Sequence, residues 1–64
     1  MLVENHYYIN VSNQGRFVFK VDPIHYPNQD RIFDLISSEF EKSQGYKVEL
    51  VLVKCSGTVV RDNQ

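Results

Sequence analysis

The strongest hydrophobic pattern in the chain is a helical one over residues 30–43. Its apolar residues recur at spacings of three and four, and at about 100° per residue they cover an arc of roughly 160°. These residues are Ile32, Phe33, Leu35, Ile36 and Phe40. The opposite side carries Arg31, Asp34, Ser38 and Glu41. The pattern predicts one amphipathic helix that must pack its apolar side on another element.

Residues at both ends agree with this helix. Asn28 is a suitable N-cap, because its side chain can accept a hydrogen bond from a first-turn amide. Asp30 lies in the first turn and Lys42 in the last, where their charges suit the helix dipole. Gly45 can adopt the left-handed conformation that closes many helices. We therefore expect the helix to start just after Asn28 and to end before Gly45.

Two segments before the helix alternate between apolar and polar residues. Residues 6–11 and 16–21 both have the period of two that is typical of strands, and they flank the turn sequence at residues 12–15. This arrangement predicts an antiparallel hairpin. Residues 22–27 contain two prolines and are expected to form an irregular connector into the helix.

The longest strand is expected at residues 46–55, after the helix. Its first half alternates, but from Leu50 to Val53 both sides are apolar, which is typical of a strand covered on both faces. Ser56 and Gly57 can form a two-residue turn, and residues 58–61 would then return as a short strand that places Val60 near Val53.

The element order predicts an α+β fold, a ββαβ(β) two-layer sandwich in one small domain spanning residues 1–64. One helix packs on one face of a mostly antiparallel sheet of three or four strands. We expect the strand order 2-1-3-4. The alternative pairs the third strand parallel to the second through a right-handed crossover. The sheet residues expected to meet the helix are Tyr7, Ile9, Val11, Phe17, Phe19, Val21, Val48, Leu50 and Leu52.

The sheet face that the helix does not cover is called the open face below. Its expected polar residues are His6, Asn10, Arg16, Lys20, Lys47 and Glu49. Its expected apolar residues, which we predict to form a partner or dimer surface, are Tyr8, Val18, Val51, Val53 and Val60. A contiguous apolar patch on a small protein usually marks such a surface, and a two-fold dimer would cover it. The alternative is a solvated face that tolerates a few valines.

The size of the chain also favours self-association. A domain of 64 residues buries only about 60% of its unfolded surface, and such domains often depend on a disulfide, a metal or a partner subunit. The single cysteine, Cys55, cannot form an internal disulfide and is expected to be a half-buried apolar residue. No histidine or cysteine pair has metal-ligand spacing, so neither a metal nor a cofactor is expected.

Charge argues against duplex DNA as a partner, because the formal net charge is −1. Single-stranded RNA is an alternative partner for the open face. Tyr8 would stack on a base while the side chains of Arg16, Lys20, Lys47 and Arg61 hold phosphates. The βαββαβ order of the known RNA-binding sheet is absent, so this is the second hypothesis.

A third hypothesis is a small enzyme that uses the connector before the helix. His25 could titrate near neutral pH, and Asp22 could orient it. No nucleophile within reach of a base is indicated, and a loop shaped by prolines is the simpler interpretation. We therefore predict no catalysis.

The expected location is the cytoplasm. No charged segment followed by an apolar segment resembles a secretion signal, and no apolar run approaches the ~20 residues needed to span a bilayer. A lone cysteine suits a reducing compartment. The leading hypothesis is a small intracellular interaction module, most simply a homodimer, that binds an unidentified macromolecular partner.

Overall fold

One α-helix and four strands make up the fold of the computed structural model, which describes residues 6–54 and 57–64. The elements are β1 (His6–Asn13), β2 (Arg16–His25), α1 (Gln29–Glu39), a 3₁₀-helix (Lys42–Gln44), β3 (Tyr46–Val53) and β4 (Thr58–Asp62). The strands form one antiparallel sheet in the order β2-β1-β3-β4, and α1 packs over β3. The predicted α+β sandwich and its strand order are confirmed. Among the described residues, no helix is long and apolar enough to span a membrane.

The start of α1 agrees with the predicted position. Asn28 is the N-cap residue, and its carbonyl oxygen accepts a hydrogen bond from the amide of Ile32 at 3.1 Å. Its side chain makes no capping hydrogen bond, which the prediction had assigned to it. The next residue, Gln29, is buried, and its Oε1 has no hydrogen-bond partner among the described residues. The helix start is therefore held by backbone bonds and packing.

The end of α1 comes earlier than predicted, at Glu39 instead of residue 43. Phe40 is the C-cap residue, with φ −117° and ψ 83°, so the backbone leaves the helical region there. The Phe40 ring packs between Phe19 and Tyr46, with centroids 5.1 and 5.2 Å away. Aromatic pairs at such distances stabilise a core beyond their buried area. This three-ring contact accompanies the exit of the chain from the helix.

The link between α1 and β3 supports the hairpin of β1 and β2. Gly45 does adopt the left-handed conformation, with φ 90°, but it closes the 3₁₀-helix (Lys42–Gln44) instead of α1. The backbone amide of Gln14 donates to the carbonyl oxygen of Gly45 at 3.3 Å. The side-chain amide of Asn13 donates to the backbone carbonyl oxygen of Gln44 at 3.4 Å. The hairpin turn is thereby fastened to the connection that follows the helix.

The buried side of α1 is narrower than its apolar stripe. Leu35 was predicted to pack on the sheet but is 61% exposed. At about 100° per residue Leu35 lies about 160° around the helix from Phe33, which is buried. Gln29 and Ile36 lie within about 60° of Phe33, and both are at least partly buried. A helix that packs on one sheet buries only the part of its circumference that faces the sheet. Leu35 lies outside that part, so the prediction that it packs on the sheet is wrong.

The core lies between α1 and the sheet. Its buried residues are Ile9, Val11, Ile24, Phe33, Val48 and Leu50. Ile24 belongs to the segment predicted as an irregular connector, but β2 continues through Pro23 to His25. An edge strand tolerates proline where the backbone nitrogen faces away from the sheet, because no N–H group is needed there for strand pairing. The sequence prediction therefore missed Ile24 as a core residue.

A bulge in β2 changes which side chains face the core. Val11 pairs with Phe19, but Ser12 pairs with Phe17, so Val18 is an extra residue in the strand. Because side chains alternate along a strand, a shift of one residue moves the residues beyond it to the other face. Phe17 is accordingly 66% exposed, and the prediction that it packs against the helix is wrong.

The connection between β3 and β4 also differs from the prediction. The paired residues closest to it are Leu52 and Thr58, so the strands do not meet in the register that a two-residue turn would require. Cys55 and Ser56 lie outside the described residues. The changed register means that Val60 does not take the position expected for it.

Asn63 extends the pairing of β4 beyond its last residue. Its backbone amide donates to the carbonyl oxygen of Val48 at 3.1 Å. Its Oδ1 accepts a hydrogen bond from the Val48 amide at 2.9 Å, and its Nδ2 donates to the carbonyl oxygen of Tyr46 at 3.0 Å. The side-chain amide of Asn63 thus pairs with β3 as the peptide group of a neighbouring strand would.

Asn63→Asp should lower the free energy of unfolding by about 1–3 kcal/mol, because the new carboxylate cannot donate to Tyr46 and leaves a part-buried acceptor without its partner. Thermal unfolding measures the change, which corresponds to roughly 4–8 °C per kcal/mol for a domain of this size. Gln44→Glu makes the same chemical change at an exposed residue that does not contact Asn63 and is the control. Equal losses in the two variants would contradict a role for the Asn63 amide.

Candidate interaction surface

The open face carries a row of apolar residues across three strands. Tyr8 of β1 pairs with Val51 of β3, and Val51 pairs with Val59 of β4, so the three side chains point to the same side. Leu50 is in the core on the other side of β3. Tyr8, Val51 and Val59 are called the apolar row below. The apolar row places the centre of the candidate surface on the face turned away from α1.

The members of the apolar row differ in how accessible they are. Val51 is only 6% exposed although the helix lies on the other face, whereas Val59 is 46% exposed. A Cβ atom at Gly57 would lie 3.5 Å from Cγ1 of Val51, so the backbone just before β4 packs on this valine. Val53, two residues further along the same side of β3, is half-buried. A partner would therefore contact Tyr8 and Val59 more than Val51.

A second row on the open face is charged. Lys20, Asn10, Glu49 and Asp62 are successive Cα partners across β2, β1, β3 and β4. These four residues are called the charged row below. The row is positive at the β2 edge and negative at β3 and β4. The open face thus has an apolar row beside a row whose charge changes sign from one edge of the sheet to the other.

Ion pairs within the chain surround the cations of the open face. The Lys20 ammonium lies 3.8 Å from a carboxylate oxygen of Asp22 and 4.3 Å from the ring centroid of Tyr8. The Lys47 ammonium lies 3.8 Å from a carboxylate oxygen of Glu49. Both lysine side chains remain about half exposed, so solvent weakens these pairs. Lys20 therefore holds its position over Tyr8 while its charge stays accessible.

Two of the predicted surface valines lie apart from the apolar row. Val18 is the extra residue of the β2 bulge, on the far side of the charged row from Tyr8. Val60 is an extra residue between Val59 and Arg61 and has no register partner of its own. Val60 was expected on the open face beside Val53, but the valine of β4 that lies on this face is Val59, beside Val51. Alternation along the sequence does not mark a bulge, and no other signal in this stretch identifies Val59.

Arg61, a predicted phosphate contact, lies on the helix side of the sheet. Its guanidinium binds Asp30 at 2.9 Å and Asp34 at 3.3 Å, and it lies 4.5 Å from the ring centroid of Phe33. The hydrogen bond to Asp30, followed by the charge of Asp34, raises the pKa of Arg61 above its ordinary value. All three charged groups are largely exposed, so each pair contributes little to stability. Together they join the β4 edge to α1.

The remaining predicted phosphate contacts are divided between the two faces. Arg16 pairs with Asn13, on the side of the sheet that carries α1, because the β2 bulge reverses its direction. Lys20 and Lys47 lie on the same face as Tyr8. The structure therefore places two of the four proposed cations on the face of the proposed stacking residue, and Lys20 lies directly over its ring.

The two residues of the enzyme hypothesis lie near other polar groups. Asp22 pairs with Lys20, and His25 lies beside His6, with ring centroids 6.5 Å apart. A shallow depression lies elsewhere, at the end of α1, and is lined by Ser37, Glu41, Lys42, Ser43 and Asn63. In the described residues, no group of three or more histidine, cysteine, aspartate and glutamate side chains could hold a metal ion.

Comparison with known proteins identifies no matching family model, curated protein or solved structure. Function is therefore inferred from the surface of this chain. The apolar row and the charged row are the two features of that surface on which such an inference can rest.

Proposed function

We propose that the protein is a small intracellular interaction module that self-associates as a homodimer through the open face and performs no catalysis. The dimer would bind a macromolecular partner. The observation that carries the proposal is the apolar row, which lies across the face that α1 leaves uncovered. Burial of such a surface contributes roughly 25 cal/mol for each Å² of apolar area removed from water.

The area required supports an interface wider than the apolar row. A stable dimer of standard size buries about 800 Å² on each partner. The accessible surface of the chain is 4661 Å², so such an interface would use about a sixth of it. Val51 is already buried within the chain, and the apolar row alone cannot supply that area. The charged row beside it must then belong to the same interface.

Sedimentation equilibrium at micromolar concentration tests the dimer directly. The wild-type chain should sediment as a dimer, and Val59→Glu should sediment as a monomer, because covering a carboxylate at this position costs free energy. Val59 is a better target than Val51, which is buried in the single chain, so that Val51→Glu should unfold the protein.

Leu35→Glu is the matched control for Val59→Glu. Leu35 is also an exposed apolar residue, but it lies on α1, away from the open face. This variant should remain a dimer. A folded wild-type monomer would overturn the proposal, and so would loss of the dimer in both variants to the same degree.

The RNA alternative predicts a different result for the same face. A monomer that retains a single-stranded RNA oligonucleotide at low salt, and loses it in Lys20→Ala, would replace the proposed dimer by nucleic-acid binding. Lys20 is suited to this test because it lies over Tyr8, the proposed stacking residue. Absence of RNA binding at low salt would eliminate the alternative.

A further inference from the structure

The order of charges along the charged row restricts how two copies can meet. From β2 to β4 the row runs from Lys20 through Asn10 to Glu49 and Asp62. A two-fold dimer brings each residue of one copy opposite a counterpart in the other, and the same contact occurs twice. The position of the two-fold axis therefore decides whether like or opposite charges meet.

An axis that runs across the strands brings no opposite charges of this row together. If it passes through the charged row, Lys20 meets Lys20 of the partner subunit and Asp62 meets Asp62 of the partner subunit. If it passes through the apolar row, Lys20 meets the end of β2 that carries His25. Like charges across an interface cost free energy and reject the first arrangement, while the second pairs no charges of opposite sign along the charged row.

An axis parallel to the strands, between β1 and β3, has the opposite effect. It places β2 over β4 of the partner subunit, because the strand order is β2-β1-β3-β4. Lys20 then faces Asp62 of the partner subunit, and Asn10 faces Glu49 of the partner subunit. Tyr8 then lies over Val51 of the partner subunit, so two of the three residues of the apolar row cover each other, and Val59 lies over the partner's β2.

We infer that the open face binds a second copy of this chain about a two-fold axis parallel to the strands, with Lys20 paired to Asp62 of the partner subunit at both ends of the charged row. This inference rests on the proposed self-association and specifies its geometry. Sheets packed face to face lie about 10 Å apart with nearly aligned strands, which this axis permits. Lys20 and Asp62 are both exposed in the single chain and accessible to a partner.

Charge reversal tests the pairing at low ionic strength, where screening is weak. Lys20→Glu places two acidic residues opposite each other at both contacts, and Asp62→Lys places two basic residues there. Each variant alone should dimerise at least about tenfold more weakly than the wild type. An equimolar mixture should form heterodimers of near wild-type affinity, because both contacts then join a lysine to an acidic residue.

Arg31→Glu is the control, since it reverses a charge on the exposed side of α1 and should leave dimerisation unchanged. Melting temperatures of the single variants confirm that they are folded before they are mixed. Dimers that persist in both Lys20→Glu and Asp62→Lys, or a mixture that fails to associate, would overturn this geometry and leave self-association standing. A monomeric wild-type chain would overturn self-association itself.

Discussion

Leu50→Ala is expected to lower the free energy of unfolding by about 2–5 kcal/mol. Leu50 is 1% exposed in the core, and truncation removes apolar burial and leaves a cavity. A chain of 64 residues has a total stability of about 3–10 kcal/mol at the usual value per residue. The variant should therefore be largely or wholly destabilised in a urea titration followed by circular dichroism.

The same substitution at Leu35 is the matched control. Leu35 is 61% exposed on α1, so Leu35→Ala should change the free energy of unfolding by no more than about 0.5 kcal/mol. Both positions belong to apolar stretches of the sequence, but Leu50 is buried in β3 and Leu35 is exposed on α1. A similar loss at the two positions would mean that α1 is rotated so that Leu35 meets the sheet.

Phe33→Ala is expected to cost about 3–5 kcal/mol, the range for a buried phenylalanine. The Phe33 ring is 3% exposed between α1 and the sheet, and the guanidinium of Arg61 lies over it. Loss of the ring removes a core contact and also one of the groups that position Arg61 at the edge of the sheet. Urea titration measures the loss, as for Leu50.

Phe17→Ala is the control for Phe33→Ala, because it removes an aromatic ring that is not in the core. Phe17 is 66% exposed beyond the β2 bulge, so its truncation should leave the unfolding midpoint of the single chain nearly unchanged. A loss as large as that of Phe33→Ala would show that β2 has no bulge and that Phe17 packs in the core. The pair of variants therefore tests the register of β2 in solution.

Periodicity predicted the elements and their arrangement well. The spacing of Ile32, Phe33 and Ile36 correctly indicated the helix, and alternation indicated the strands. The strand order followed because a hairpin, a helical return over one face and a final antiparallel strand leave few ways to connect the chain. These features depend on local repetition, which can be read from neighbouring residues.

The pattern of alternation could not predict the bulges in β2 and β4. These bulges had the largest effect on which residues form the candidate surface. One extra residue at Val18 turned Phe17 and Arg16 to the opposite faces from those expected. Another at Val60 placed Val59 beside Val51 in the apolar row. A bulge costs little locally and is selected by how the paired strands pack, so the alternation of a single strand does not reveal it.

The candidate surface was predicted in part. Tyr8 and Val51 were expected to lie together on the open face, and they are register partners. The charged row was not anticipated, because its members come from four strands and meet only through the register of three strand pairs. Its order across the sheet is what suggests the axis of a dimer.

The amino-acid pattern alone was sufficient for the helix and the strands, because burying apolar side chains at periods of 3.6 and 2.0 requires those elements, and it left two arrangements of the strands open. Folding in three dimensions determined which residues of each stripe are buried and which charges become neighbours. Contacts between residues distant in the chain select among registers that differ by one residue, and a shift of one residue reverses the face of every side chain beyond it.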